Sequence, residues 1–129
     1  MAVLLLDTTI ASGLIKGHLL DRLSSYSTAD LVISSITEAE IRYGLAKKPE
    51  ATLLRRSAED FLRTIRIETF DSGAARAYGE LRSVWESRGF PVGSFDGLIA
   101  GHARALEATL VTRDKALLGL SWCIPVEQW

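Results

Sequence analysis

Val3-Leu4-Leu5-Leu6-Asp7-Thr8-Thr9 is an unbroken apolar run that stops on a carboxylate. Apolar residues in succession, without a polar alternate, mark a strand buried on both faces, as in a parallel sheet covered by helices. Leu31-Val32-Ile33 and Thr109-Leu110-Val111 repeat the pattern, and further strands are expected at 67–70 and 122–126. The segments between them read as helices. One covers 8–17, with a short helical piece at 18–23. The next starts at Ile36 behind the candidate caps Ser34 and Ser35, with capping-box spacing from Ser35 to Glu38, and stops before Pro49. Leu53, Leu54, Ala58, Phe61, Leu62 and Ile65 form the apolar stripe of a helix over 50–64. Asp71 caps a helix that ends at Gly89, Pro91-Val92-Gly93 is a loop, and helices follow at 95–107 and 115–118. Strands alternating with helices predict βαβ units with right-handed crossovers. The expected fold is a three-layer α/β/α domain with a mainly parallel central sheet of about five strands. A single domain over 1–129 is expected, since the chain shows no linker, repeat or low-complexity tract.

Four carboxylates stand at the boundaries of these elements. Asp7 ends the first strand and Asp114 follows the fourth. Glu40 lies in the first turn of the helix from Ile36, and Asp96 lies near the start of the helix over 95–107. The carboxyl ends of parallel strands share one edge of the sheet, and ligand sites in open α/β sheets form there. Acids gathered at that edge repel one another unless a hard divalent cation such as Mg²⁺ or Mn²⁺ neutralises them. Each acid also has a plainer reading. Asp7 is a good N-cap, Glu40 stands three residues after Thr37 as in a capping box, and Asp114 suits a turn. Asp96 heads the apolar stripe of Ile99, Ala100 and Ala103, where a charge is costly unless it caps the helix or meets a cation. Ser94 already offers the cap. Gly44, four residues after Glu40, leaves space beside it, and Glu38 is spaced to pair with Arg42. His102, on another face from Asp96, is expected to take a surface or packing role rather than act as a base, and Met1, Trp85, Trp122 and Trp129 to pack the core or an interface.

Composition excludes several classes. Hydrophobic residues make up 47% and charged residues 24% of the 129, an ordinary globular balance. No apolar run approaches the ~20 residues of a membrane span. The first residues lack a basic segment and a long apolar one, so no secretory leader is read there and the cytoplasm is the expected compartment. The lone Cys123 excludes an internal disulfide, and without a Cys/His cluster a structural zinc site is not expected. A net charge of −1 leaves no overall basic footprint. Lys47-Lys48 and Arg55-Arg56 are local groups, read first as a solvated helix face.

Together, Leu6-Asp7-Thr8-Thr9, the stretch from Ile33 to Gly44, Asp96-Gly97-Leu98-Ile99-Ala100 with His102-Ala103, Leu110-Val111-Thr112-Arg113-Asp114 and the ending Val126-Glu127-Gln128-Trp129 resemble the PIN-domain ribonucleases. Within that family the chain is similar to the VapC-type toxins of bacterial toxin–antitoxin pairs. The resemblance implies that Asp7, Glu40, Asp96 and Asp114 hold Mg²⁺ or Mn²⁺, with Thr9 and Thr112 in support. It further implies an endoribonuclease that leaves a 5′-phosphate, works as a homodimer and is neutralised by a cognate VapB-like antitoxin. Two positions depart from the family pattern. Thr9 stands where Asn is usual, and Phe95 where a polar residue often precedes the third acid. A receiver module would require an adjacent acidic pair after the first strand, and an Asp-x-Asp phosphotransferase a second Asp at position 9. The remaining rival is a PIN-like module that binds partners without cutting.

Overall fold

The protein is described by a computed structural model covering residues 3–129; the expected packing of Met1 lies outside the described residues. Strands β1 (Leu4–Leu6), β2 (Leu31–Ser34), β3 (Arg66–Glu68), β4 (Thr109–Thr112) and β5 (Val126–Gln128) form one sheet in the order β3-β2-β1-β4-β5. Every neighbouring pair is parallel, with Leu5 opposite Val32 on one side and Leu110 on the other. The apolar runs are continuous because both faces are covered. Leu4, Leu6, Leu31, Ile33 and Val111 pack against α1 (Thr8–Ile15), α3 (Ser35–Ala46) and α4 (Thr52–Thr64). Leu5, Val32 and Leu110, the alternate residues, pack against α5 (Ser72–Ser87), α6 (Ser94–Ala105) and α7 (Lys115–Leu118). A short helix, α2 (Leu20–Leu23), bridges α1 to β2. Among the described residues no helix is long and apolar enough to cross a membrane.

Strand order positions the site. The chain steps outward from β1 to β2 and β3, then crosses back to place β4 on the other side of β1. The crevice at the carboxyl ends of β1 and β4 is therefore the topological switch point, where such sheets bind ligands. A helix that leads into a strand starts at that strand's carboxyl edge. The first turn of α6, with Asp96, thus comes to the same crevice as Asp7 and Asp114.

Several boundaries differ from the sequence expectation for identifiable reasons. β3 lies at Arg66–Glu68 rather than 67–70, because the Phe70 N–H donates to Ser35 Oγ at 3.0 Å instead of joining the ladder. The same bond removes Ser35 from the expected capping box. Ser34 is the cap, its Oγ accepting from the Ile36 N–H at 3.0 Å, while Glu38 pairs with Arg42 at 2.8 Å. β5 starts at Val126 rather than at 122. Cys123 and Ile124 instead donate to the Leu120 carbonyl in a turn, and the Pro125 carbonyl accepts from Leu110. Trp122 is thereby left on the surface, 4.4 Å from the Arg88 guanidinium and tilted against Phe90, whereas Trp85 and Trp129 are buried. Leu53 is 77% exposed, because the buried stripe of α4 runs through Leu54, Ala58, Phe61 and Leu62 and passes it by.

Glycines let α5 and α6 approach closely. A Cβ on Gly101 would lie 2.6 Å from Tyr78 Cα, and one on Gly97 would lie 3.1 Å from the Trp85 ring. Gly101→Ala should therefore cost about 1–3 kcal/mol in urea unfolding, since Tyr78 backbone rather than a flexible side chain must yield. Gly44→Ala, with nothing within 4 Å of its added methyl, should cost nothing. Equal stability of the two variants would refute this packing account.

Candidate metal-binding acidic site

Asp7 takes its N-cap reading and a second bond besides. It is the N-cap of α1, with Oδ1 accepting from the Ile10 N–H at 2.9 Å, and its Oδ2 accepts from the Thr112 hydroxyl. A carboxylate has lone pairs enough for both and for a cation besides. Asp7 is 1% exposed. Burial pushes its carboxyl above the usual range, and Asp114 and Glu40 add to this, while the bonds from Thr112 and Ile10 oppose it.

Thr112 ties two strand ends together. Its hydroxyl donates to Asp7 and accepts from the Asp114 N–H at 3.0 Å. Asp114 in turn caps α7, with Oδ2 accepting from Leu117 at 3.1 Å. Glu40 is in the second turn of α3, not the first, because the helix begins at Ser35. The helix N-terminus is therefore too far along to hold it. Instead Glu40 Oε1 accepts from the Thr8 hydroxyl, which also lies 3.2 Å from the hydroxyl of buried Thr37. Gly44 does leave open space beside Glu40, in a cavity of about 200 Å³ rimmed by Lys16, Lys47 and Lys48.

Asp96 is the least satisfied of the four. The α6 N-cap is Gly93, without a side-chain bond, so Ser94 does not cap and stands as the first helical residue. Among the described residues Asp96 takes no side-chain hydrogen bond. Burial first, then the charges of Asp114, Asp7 and Glu40, push its carboxyl up to about 6. No basic group counters them. At Asp96 the charges of the other three acids thus act together, with the lysines lying only around the cavity beside Glu40. Yet no three His, Cys, Asp or Glu side chains among the described residues meet closely enough to enclose an ion.

Thr9 is not drawn into this cluster. It faces a neighbouring cavity with Lys16, His18 and Arg113, and Thr8 takes the place beside the acids. Sequence reading missed Thr8 and Thr37, which carry no charge; the only signal was the hydroxyl directly after a strand-end Asp. Of its two readings, surface or packing, His102 takes the second, in a polar niche. It is 1% exposed, with Nδ1 2.8 Å from Ser34 Oγ and its ring edge-on to Phe70. Burial lowers its pKa from 6.5, against the pull of Asp71 and Glu68. The folded protein therefore keeps His102 neutral where the unfolded chain takes a proton, and this contribution to stability is lost as pH falls below 6.5. In an NMR titration the His102 ring should show a midpoint below 6.5; a midpoint above it would contradict the buried, neutral assignment.

Comparison with known proteins agrees with this architecture. The PIN domain family matches residues 4–121. The chain belongs to the PIN-domain family. It is 36% identical over 118 residues to ribonuclease VapC2 of Rickettsia felis, covering 87% of each chain. It is 32% identical to the tRNA(fMet)-specific endonuclease VapC of Salmonella typhimurium, covering 100% of this chain and 99% of that one. The crystal structure of DNA-bound VapBC from Salmonella typhimurium superposes with a TM-score of 0.89 at 30% identity, over 100% of this chain and 99% of its counterpart.

Proposed function

We propose that this PIN domain is a divalent-metal-dependent endoribonuclease toxin of the VapC type, held in check by a cognate VapB-like antitoxin. The observation that carries the metal reading is the field at the switch-point crevice: Asp96 is pushed up to about 6 by burial and by three other acids. Hard oxygen donors in excess, with no basic group among the described residues offsetting the charge at Asp96, fit Mg²⁺ or Mn²⁺. The fit is one of charge and donor chemistry, since among the described residues no three acids converge on a point. Asp7, Glu40, Asp96 and Asp114 would hold the ion, which when bound supplies a Lewis acid that polarises the scissile phosphate and acidifies water.

The chain's own groups supply preorganisation. Ile10 and Thr112 hold the Asp7 carboxylate from two sides, and Thr8 orients Glu40. Thr112 also anchors the backbone that carries Asp114. Charges fixed in this way need not reorganise as charge develops on the phosphate. No side-chain nucleophile is required, since a metal-activated water can attack and His102 is engaged with Ser34; the family resemblance implies that the cut leaves a 5′-phosphate. The chain works in the cytoplasm as a homodimer. The VapBC complexes of relatives support the antitoxin as partner.

The test is direct. Purified protein with Mg²⁺ should cut RNA, with tRNA(fMet), the substrate in the Salmonella relative's name, as the first to assay. Asp7→Asn and Asp96→Asn should not cut, and sequencing of RNA ends after expression would locate the site. Cleavage retained by both variants would overturn the assignment. A merely binding PIN-like module would show none from any form.

A further inference from the structure

The acid cluster has a basic neighbour. A cavity of about 320 Å³ opens beside it, walled by Thr8, Thr9, Ser12 and Lys16 along one face of α1, with Arg113 opposite and His18 at the rim. Thr8 is the shared wall, since its hydroxyl donates to Glu40. Arg113 is aimed here by strand alternation. Thr112 turns to Asp7, so the next side chain points to the α1 face. Its guanidinium is fixed by one bond, to the main-chain oxygen of Trp129 at 2.9 Å, and Trp129 is itself buried and stacked on Tyr26. The remaining donors of the guanidinium stay available. Among the described residues neither Lys16 nor Arg113 pairs with an acidic side chain. In a chain of net charge −1, two cations without an acidic side-chain partner around a hydroxyl-lined hollow make a local concentration of positive charge.

We propose that this cavity is a phosphate subsite, holding the RNA backbone one step along from the scissile bond. Lys16 and Arg113 are its cations, and the Thr9 and Ser12 hydroxyls are its donors. The inference rests on the nuclease reading above and adds to it the groups that hold substrate. A forked guanidinium and a mobile ammonium are the usual phosphate ligands. Such contacts set position and register without reading base identity. They also give Thr9 a role away from the acids.

The experiment uses the full chain, a 5′-labelled single-stranded RNA oligonucleotide and a series of KCl concentrations. Lys16→Gln alters an exposed side chain, and Arg113→Lys keeps the charge while losing the fork. Each should raise KM about fivefold or more, with kcat falling less. Binding of the same RNA to Asp96→Asn, with and without Lys16→Gln, should show the salt slope of log affinity reduced by about 0.7 for the lost contact. Arg76→Gln, the same charge change on α5 across the sheet, should shift neither. Unchanged KM and slope in Lys16→Gln, with cleavage intact, overturn the subsite and leave the nuclease assignment standing. Weakened antitoxin binding with unchanged RNA binding also overturns it, by giving the cavity to the antitoxin. Absence of cleavage by the unmodified chain counts against the nuclease assignment instead; the slope in the Asp96→Asn background reads the subsite separately.

Discussion

Asp96→Asn should abolish RNA cleavage, by on the order of 10³-fold, and at the same time make the metal-free protein more stable. The two effects have one cause. Asp96 sits half-buried in the field of Asp114, Asp7 and Glu40 with its carboxyl pushed up to about 6 from 3.8. A raised acid pKa means that the folded state holds its proton more tightly than the unfolded chain. The resulting stability is fully present below about pH 4 and lost as pH rises through about 6. At pH 7.5 the ionised group is therefore a burden on the fold. Each tenfold change in proton affinity corresponds to about 1.4 kcal/mol. Solvent screening at a partly exposed carboxyl leaves roughly 1–2 kcal/mol of the total. For a chain of this size that is roughly 4–7 °C in Tm. Melts in EDTA at pH 7.5 should place Asp96→Asn above the unmodified protein, with the gap closing toward pH 4. His102 contributes with the opposite sign, but it is common to both proteins and cancels. A variant less stable than its parent in EDTA would show that Asp96 supports the helix instead of awaiting an ion.

Removal of divalent cations should have an effect of similar size on activity. EDTA should stop cleavage, and Mg²⁺ or Mn²⁺ in excess should restore it, because among the described residues no basic group offsets the three acids that act on Asp96. The stability readout is independent of turnover. An ion at about tenfold its dissociation constant adds about 1.4 kcal/mol to the folded state, or roughly 5 °C in Tm. Asp7→Asn and Asp96→Asn should each lose most of that increment, with KCl at matched ionic strength as the control. Cleavage that persists in EDTA, or a melting temperature indifferent to Mn²⁺ in the unmodified chain, would remove the metal from the account.

The fold was legible where burial leaves a simple pattern. Leu4-Leu5-Leu6 and Leu31-Val32-Ile33 have no polar alternate, and Leu110-Val111 are both buried, because both faces of their strands are covered. The edge strands were misplaced by a few residues, since tertiary hydrogen bonds decided where pairing began. Phe70 was taken by Ser35, and the Leu120 carbonyl drew the backbone at Cys123 and Ile124 into a turn. The acids were visible as strand-end and helix-start residues. Their supports were not: Thr8 is an ordinary first helical residue until α3 brings Glu40 to its hydroxyl.

The order of residues alone settled the alternation of strand and helix, the parallel sense of the sheet and the edge to which Asp7 and Asp114 belong. These are properties of periodicity and chain direction. Tertiary structure alone decided that β1 lies between β2 and β4, and hence that Asp96 and Glu40 meet the field of Asp7. It also decided that Thr9 lines a hollow with Lys16 and Arg113. The reason is physical: sequence defines which way each side chain leaves its own element, whereas the distance between elements is set by how the two cores pack against the sheet.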